Sequence, residues 1–301
     1  MHIRIIVPEW GAARSRGRPE QPPKRVSWLD GFYAERGERP TDLGFGPDDT
    51  CIVENLLHGA KQWAKIDGGE ESVSYEAVHV GTGPATDEKL LLGLKWAVDR
   101  AGSWERVTVV APTKDYFRSH SILRTLPTSV RKESFATVRP WHQLTPVVVA
   151  CWPDQKTLDR LDGCEIEALC VIPWAPGEID IWRAARNAID ITGGPQATPI
   201  ALDPVVEAAL QSLTERVNLS TGLGHPSDRS SAISMFKILK RAGYSWEPDA
   251  VKIWAIQNGW KADHAADLAD KAQGVLEGRR YQNVTDMWAT DILAQWSAEA
   301  D

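Results

Sequence analysis

The sequence predicts an α/β fold: an open, mainly parallel sheet of about five strands with helices on both faces, followed by a smaller all-α region. Three observations lead there. Tyr75 to Pro112 reads as apolar run, glycine loop, amphipathic run, apolar run, which is one strand–loop–helix–strand unit of an open sheet. Further apolar, β-branched runs recur between helical patterns, as strands buried on both faces do. From Asp203 onward no such run appears and the pattern turns helical.

Taken in order, the first strand falls at residues 2–7, where isoleucines alternate along His2-Ile3-Arg4-Ile5-Ile6-Val7. Residues 8–50 are rich in Gly, Pro and charge, with room for one short helix near Val26 to Arg36. Cys51 to Ile66 carries Ile52, Val53, Leu56, Leu57, Ala60, Trp63 and Ala64 in a helical stripe. The second strand, 75–80, runs into Gly81-Thr82-Gly83-Pro84. The helix from Thr86 to Ala101 follows, with Leu90, Leu91, Leu94, Ala97, Val98 and Ala101 on one face and Gly102 to close it. Strands are then expected at 107–111, 146–151 and 168–172. Short helices fall near Ser119 to Leu126, Gln155 to Leu161 and Ile179 to Ala188. The helical region holds segments at 205–213, 232–242, a Pro248 start through 258, 263–276 and 284–296.

This divides the chain into a Rossmann-like α/β domain over residues 1–200 and a helical C-terminal domain over 201–301. A length of 301 residues suits one large and one smaller domain. With 43% apolar and 25% charged residues the composition is that of an ordinary soluble protein. A net charge of −7 argues against a wholly electrostatic nucleic-acid binder. No apolar run is long enough to cross a bilayer. The apolar start is too short for a signal peptide, so cytoplasm is the expected location. Cys51, Cys151, Cys164 and Cys170 show no CxxC spacing and no histidine partners in a zinc pattern, so no metal site is predicted. The 14 tryptophans have no fixed period and read as helix-face and core-edge packing.

Ligands of open α/β sheets sit beyond the carboxyl ends of the strands, so the candidate residues are those that follow each strand. Gly81, Thr82 and Gly83 lie between a strand and a helix, where phosphate loops occur. The spacing is neither GxGxxG nor GxxxxGK[ST]. Asp87 and Glu88 already compensate the helix dipole there, so a tight turn is the competing reading. The next loop carries Thr113, Lys114 and Arg118, which suit phosphate or carboxylate groups, with Asp115 and His120 able to move protons. Trp152 and Trp174 each stand beside a proline at the ends of later strands and could wall a pocket for a flat ring. Glu9, after the first strand, and Asp154 are the candidate acids or bases; Asp154 also suits a helix cap. No motif names a cofactor.

These residues predict a protein that binds a nucleotide or phosphorylated small molecule, with hydrolytic or transfer chemistry if it is an enzyme. A second expectation is a non-enzymatic sensor or interaction protein, whose C-terminal helices bind a protein partner or a second copy. An α/β domain followed by helices resembles, in layout alone and with no shared motif, the ligand-sensing regulators of nucleotide-signalling systems. A third reading uses the basic loop 14–25, where Arg14, Arg16, Arg18, Lys24 and Arg25 face only Glu20, to bind nucleic acid. The helices at 249–258 and 263–276 could form a helix-turn-helix, but Asp263, Asp267 and Asp270 would repel phosphates.

Overall fold

The structure, a computed structural model, describes residues 75–139, 142–198 and 200–300. The predicted strand at 2–7, the helices near 26–36 and 51–66, Glu9 and the basic loop 14–25 lie outside the described residues. Glu70–Asp301 forms one compact unit.

Six strands make one all-parallel sheet: β1 Glu76–His79, β2 Val107–Ala111, β3 Arg131–Ser134, β4 Val147–Cys151, β5 Ala168–Ile172 and β6 Ile189–Asp190. Their spatial order is β3-β2-β4-β5-β1-β6. Every residue of β2, β4 and β5 is buried, which is why these runs are apolar without alternation. Register follows from the pairs Val107↔Val147 and Val147↔Ala168 on either side of β4. The two edge strands are the ones the apolar pattern does not reveal. β3 reads Arg-Lys-Glu-Ser, and β6 is two residues long with Ile189 exposed. Short and charged edges are how sheets avoid pairing with other chains, and they leave no apolar signature.

Each face of the sheet is covered by connections running in one direction. Helix α1, Asp87–Ala101, and the segment between β2 and β3 cover one face through Leu90, Leu94, Leu123 and Leu126. Helices α3, Gln155–Asp162, and α4, Asp180–Arg186, cover the other through Leu158, Leu161 and Trp182. A one-turn helix α2, Tyr116–Ser119, and a 3-10 turn at Leu123–Thr125 stand where one short helix is expected at 119–126. α1 begins where Thr86 accepts from the Lys89 amide and ends at Gly102, whose φ is 76°. Gly93 lets α1 lie against β5, since a Cβ there would stand 2.9 Å from Ile172 Cδ1. At the amino end of the sheet, Tyr75 donates to Asp162, and Arg186 Nη2 pairs with the same carboxylate at 3.1 Å. Burial raises the Tyr75 hydroxyl well above its usual pKa, so it stays a donor.

The helical region comprises α5 Pro204–Arg216, α6 Pro226–Arg241, α7 Pro248–Gln257, α8 Ala262–Leu276 and α9 Ile292–Ala300. Proline opens the first three. Their shared core holds Phe236, Trp260 and Trp296. The indole nitrogens of Trp260 and Trp296 donate to Thr214 and Ser212. The helix expected at 284–296 begins only at Ile292. Trp288 is fixed instead by its indole bond to the Ser231 carbonyl and by edge contact with Trp296. The spacing of the rings is helical although the backbone before 292 is not. This region packs on α3 and α4: Ala184 and Ala185 join its core, Gln257 donates to the Ala184 carbonyl, and Lys252 Nζ bonds Asp159 at 2.7 Å.

Candidate functional site

Strand order places the divergence of connections between β2 and β4. From β2 the chain leaves over the α1 face toward β3, and from β4 it leaves over the opposite face toward β5. Neighbouring strands whose connections part in this way open a crevice at their carboxyl ends, the usual ligand position of open α/β sheets. Thr113 and Lys114 follow β2, with Arg118 on α2, and all three side chains are exposed. Arg118 stands 3.8 Å from Asp115, with both almost fully in solvent, so the pair holds neither firmly.

Trp152 is the first residue after β4. Its amide still donates to the Ile172 carbonyl of β5 at 2.7 Å, and its φ is then 57°. Left-handed backbone is uncommon for a bulky residue, and the following Pro153 narrows the choice further. The turn sets the indole into the core on the α1 face of the sheet. There it meets Tyr116 and His120, each with ring centroids at 5.2 Å, and Trp174 edge-on at 5.8 Å. Trp152 is 8% exposed and Trp174 57%. The Trp152 indole nitrogen is buried with no hydrogen-bond partner among the described residues. His120 Nδ1 accepts from the Ile122 amide and Nε2 lies 3.7 Å from Asp87 of α1. The loop after β2 is thereby tied across the crevice to the loop after β1.

Gly81, Thr82 and Gly83 sit at the other half of the carboxyl edge, where β1 lies beside β6. The Gly81 amide donates to Asp190 at 3.0 Å, and Thr192 donates to the same oxygen through its amide and hydroxyl. Burial alone would raise the Asp190 pKa, but these bonds outweigh it and hold the carboxyl below its usual range. Lys89 folds back to the Pro84 carbonyl at 3.1 Å and passes close over Gly81 and Gly83. Beneath the loop, buried Arg183 donates from Nε to His79 Nε2, from Nη1 to Asp180 and from Nη2 to the Pro195 carbonyl, all within 3.1 Å. Since Arg183 can only donate, His79 carries its proton on Nδ1 and donates to the Gly81 carbonyl. Burial lowers the His79 pKa, in keeping with a neutral ring.

Of the residues singled out from sequence, Trp152 and Trp174 meet, and the β1 loop joins them through the Ala85 amide bonded to the Trp174 carbonyl. Asp154 caps α3, accepting from the Thr157 amide at 2.8 Å. His79, Arg183 and Asp190 were not offered by any motif. The one available signal was a carboxylate, Asp190, at the end of a run too short to read as a strand. Among the described residues, no three His, Cys, Asp or Glu side chains are grouped to hold a metal. Burial pushes the Cys151 thiol up to about 12 and Cys164 up to about 11, which leaves both unreactive. Two surface depressions lie elsewhere. One, of about 310 Å³, is at the amino ends of β4 and β5 beside Pro146 and Glu167, and one of about 420 Å³ is beside Trp254 and Glu299. On α8, Lys271 pairs with Asp267 and Asp270.

Residues 202–297 match the family model DUF1889, a domain of unknown function. The match lies within the helical region and leaves the sheet outside it. No curated protein and no solved structure matches the chain. Among the described residues, no helix is long and apolar enough to cross a membrane.

Proposed function

We propose that the protein binds a nucleotide or another phosphorylated small molecule in the crevice between the carboxyl ends of β2 and β4. The observation that carries this reading is the parting of the two connections there, with cations on one lip and tryptophans on the other. Lys114, Arg118 and Thr113 serve the phosphate, and Trp174 offers its exposed ring to a flat group. The glycine loop 81–83 supports the rim, because the buried Gly81 amide and the Lys89 ammonium are spent within the chain. Thermal unfolding with AMP, ATP and ribose 5-phosphate tests the reading. At 100 times its Kd a ligand adds about 2.7 kcal/mol, which for a protein of this size raises Tm by roughly 5–10 °C. A flat response to all three, or a rise that survives replacement of both Lys114 and Arg118 by alanine, refutes it.

One observation favours a sensor over an enzyme. α3 starts at Asp154, directly after Trp152-Pro153, and its Asp159 grips Lys252 of α7. The crevice and the helical region therefore share a rigid element. Asp154 is engaged as a cap, which favours structure over proton transfer. Under this reading, Lys252→Met alters how ligand binding changes hydrogen exchange in α7, whereas an unchanged pattern argues against it.

A further inference from the structure

Trp152 has features that packing leaves unexplained. Four other indoles among the described residues are satisfied: Trp182 donates to Tyr75, Trp260 to Thr214, Trp288 to Ser231 and Trp296 to Ser212. Trp152 does not, although its nitrogen is buried. Among the described residues, the other buried indole without a partner, Trp246, lies against Phe236 in the helical core, away from any strand end. Trp152 alone combines the unpaired N–H with a left-handed backbone and a position at the parting of β2 and β4. A buried donor without an acceptor is unfavourable, and strained residues of this kind cluster at ligand clamps and switches.

We propose that Trp152 is both gate and recognition donor for a nucleobase. In the structure its ring is buried against Tyr116 and His120 at the carboxyl end of β4. When it turns outward, the space between the strand ends opens. The indole N–H then meets an acceptor, a ring nitrogen or carbonyl oxygen, on the edge of a base whose face lies on Trp174. An indole can only donate, so the group it selects is an acceptor on a flat ring, and the phosphate falls to the cations after β2. This rests on the crevice reading above and adds the base as the selected part of the ligand.

The test is calorimetric titration of AMP and of ribose 5-phosphate into the wild type, Trp152→Phe, and a protein with 3-benzothienylalanine at position 152. The last keeps the ring size and replaces N–H by sulfur. Both changes are expected to weaken AMP at least about tenfold, as when a site's hydrogen-bond partner is lost, and to leave ribose 5-phosphate unchanged. The unliganded melting temperature of the benzothienyl protein should stay level or rise, because an unpaired donor is removed at constant ring size. Undiminished AMP affinity in the benzothienyl protein overturns the inference and leaves the crevice reading in place, even if Trp152→Phe does not fold. Equal weakening of both ligands also overturns base recognition. Failure of the wild type to bind either compound overturns the crevice reading and the inference with it.

Discussion

Along the β1 and β6 half of the carboxyl edge, the Gly81 amide, the Lys89 ammonium and the Asp190 carboxylate bond to groups of the same chain, over a buried arginine with three partners. Along the β2 and β4 half, Lys114 and Arg118 reach into solvent and Trp152 keeps a buried N–H unpaired. One half resembles a phosphate loop in sequence, but its Gly81 amide and Lys89 ammonium are already bonded within the chain. The other has no motif and retains its bonding capacity. A ligand site needs groups whose partners are still to come, so a glycine loop after a strand is weaker evidence than unspent donors at a parting of connections.

The largest expected effect comes from Arg183→Met, which leaves His79, Asp180 and the Pro195 carbonyl without their donor. Urea unfolding should show a loss of about 3 kcal/mol; less than about 1 kcal/mol would break the contrast between the two halves. Gly81→Ala should cost about 1–2 kcal/mol, because φ is 65° there and the new methyl approaches Lys89. Stability should also depend on pH through His79. Its folded pKa lies below the unfolded value of about 6.5. Its contribution is therefore complete above that pH and is lost as pH falls through the folded value. His79→Gln should flatten the difference in stability measured between about pH 8 and pH 5. Asp190, also lowered, acts in the same direction but only below about pH 4. The smallest effect belongs to the other half: Lys114→Ala with Arg118→Ala should change unfolding free energy by less than about 0.5 kcal/mol. A larger change would mean that these cations serve the fold.

Much of the fold was legible. β2, β4 and β5 announced themselves as apolar runs, Thr86 and Gly102 bounded α1, and Pro248 marked the start of α7. β3 was missed because an edge strand of Arg-Lys-Glu-Ser carries no apolar period, and α9 was placed early because Trp288 keeps helical spacing on a non-helical backbone. Of the candidate site, Trp152 and Trp174 were visible as tryptophans beside prolines at strand ends. Their contact, and the roles of His120 and Tyr116 around them, were not, since these residues come from three different connections.

The sequence by itself determined which segments are inner strands, which are helices and where most of them stop, because burial on one or two faces and end capping leave local signatures. Only the tertiary structure decided the order β3-β2-β4-β5-β1-β6. That order puts the parting between β2 and β4, and it brings Asp190 to the Gly81 amide across 109 residues. Parallel strands can be permuted without changing their local patterns, so order depends on which helices cover which face. The position of the crevice, and the bonding of the Gly81 amide within the chain, follow from that packing.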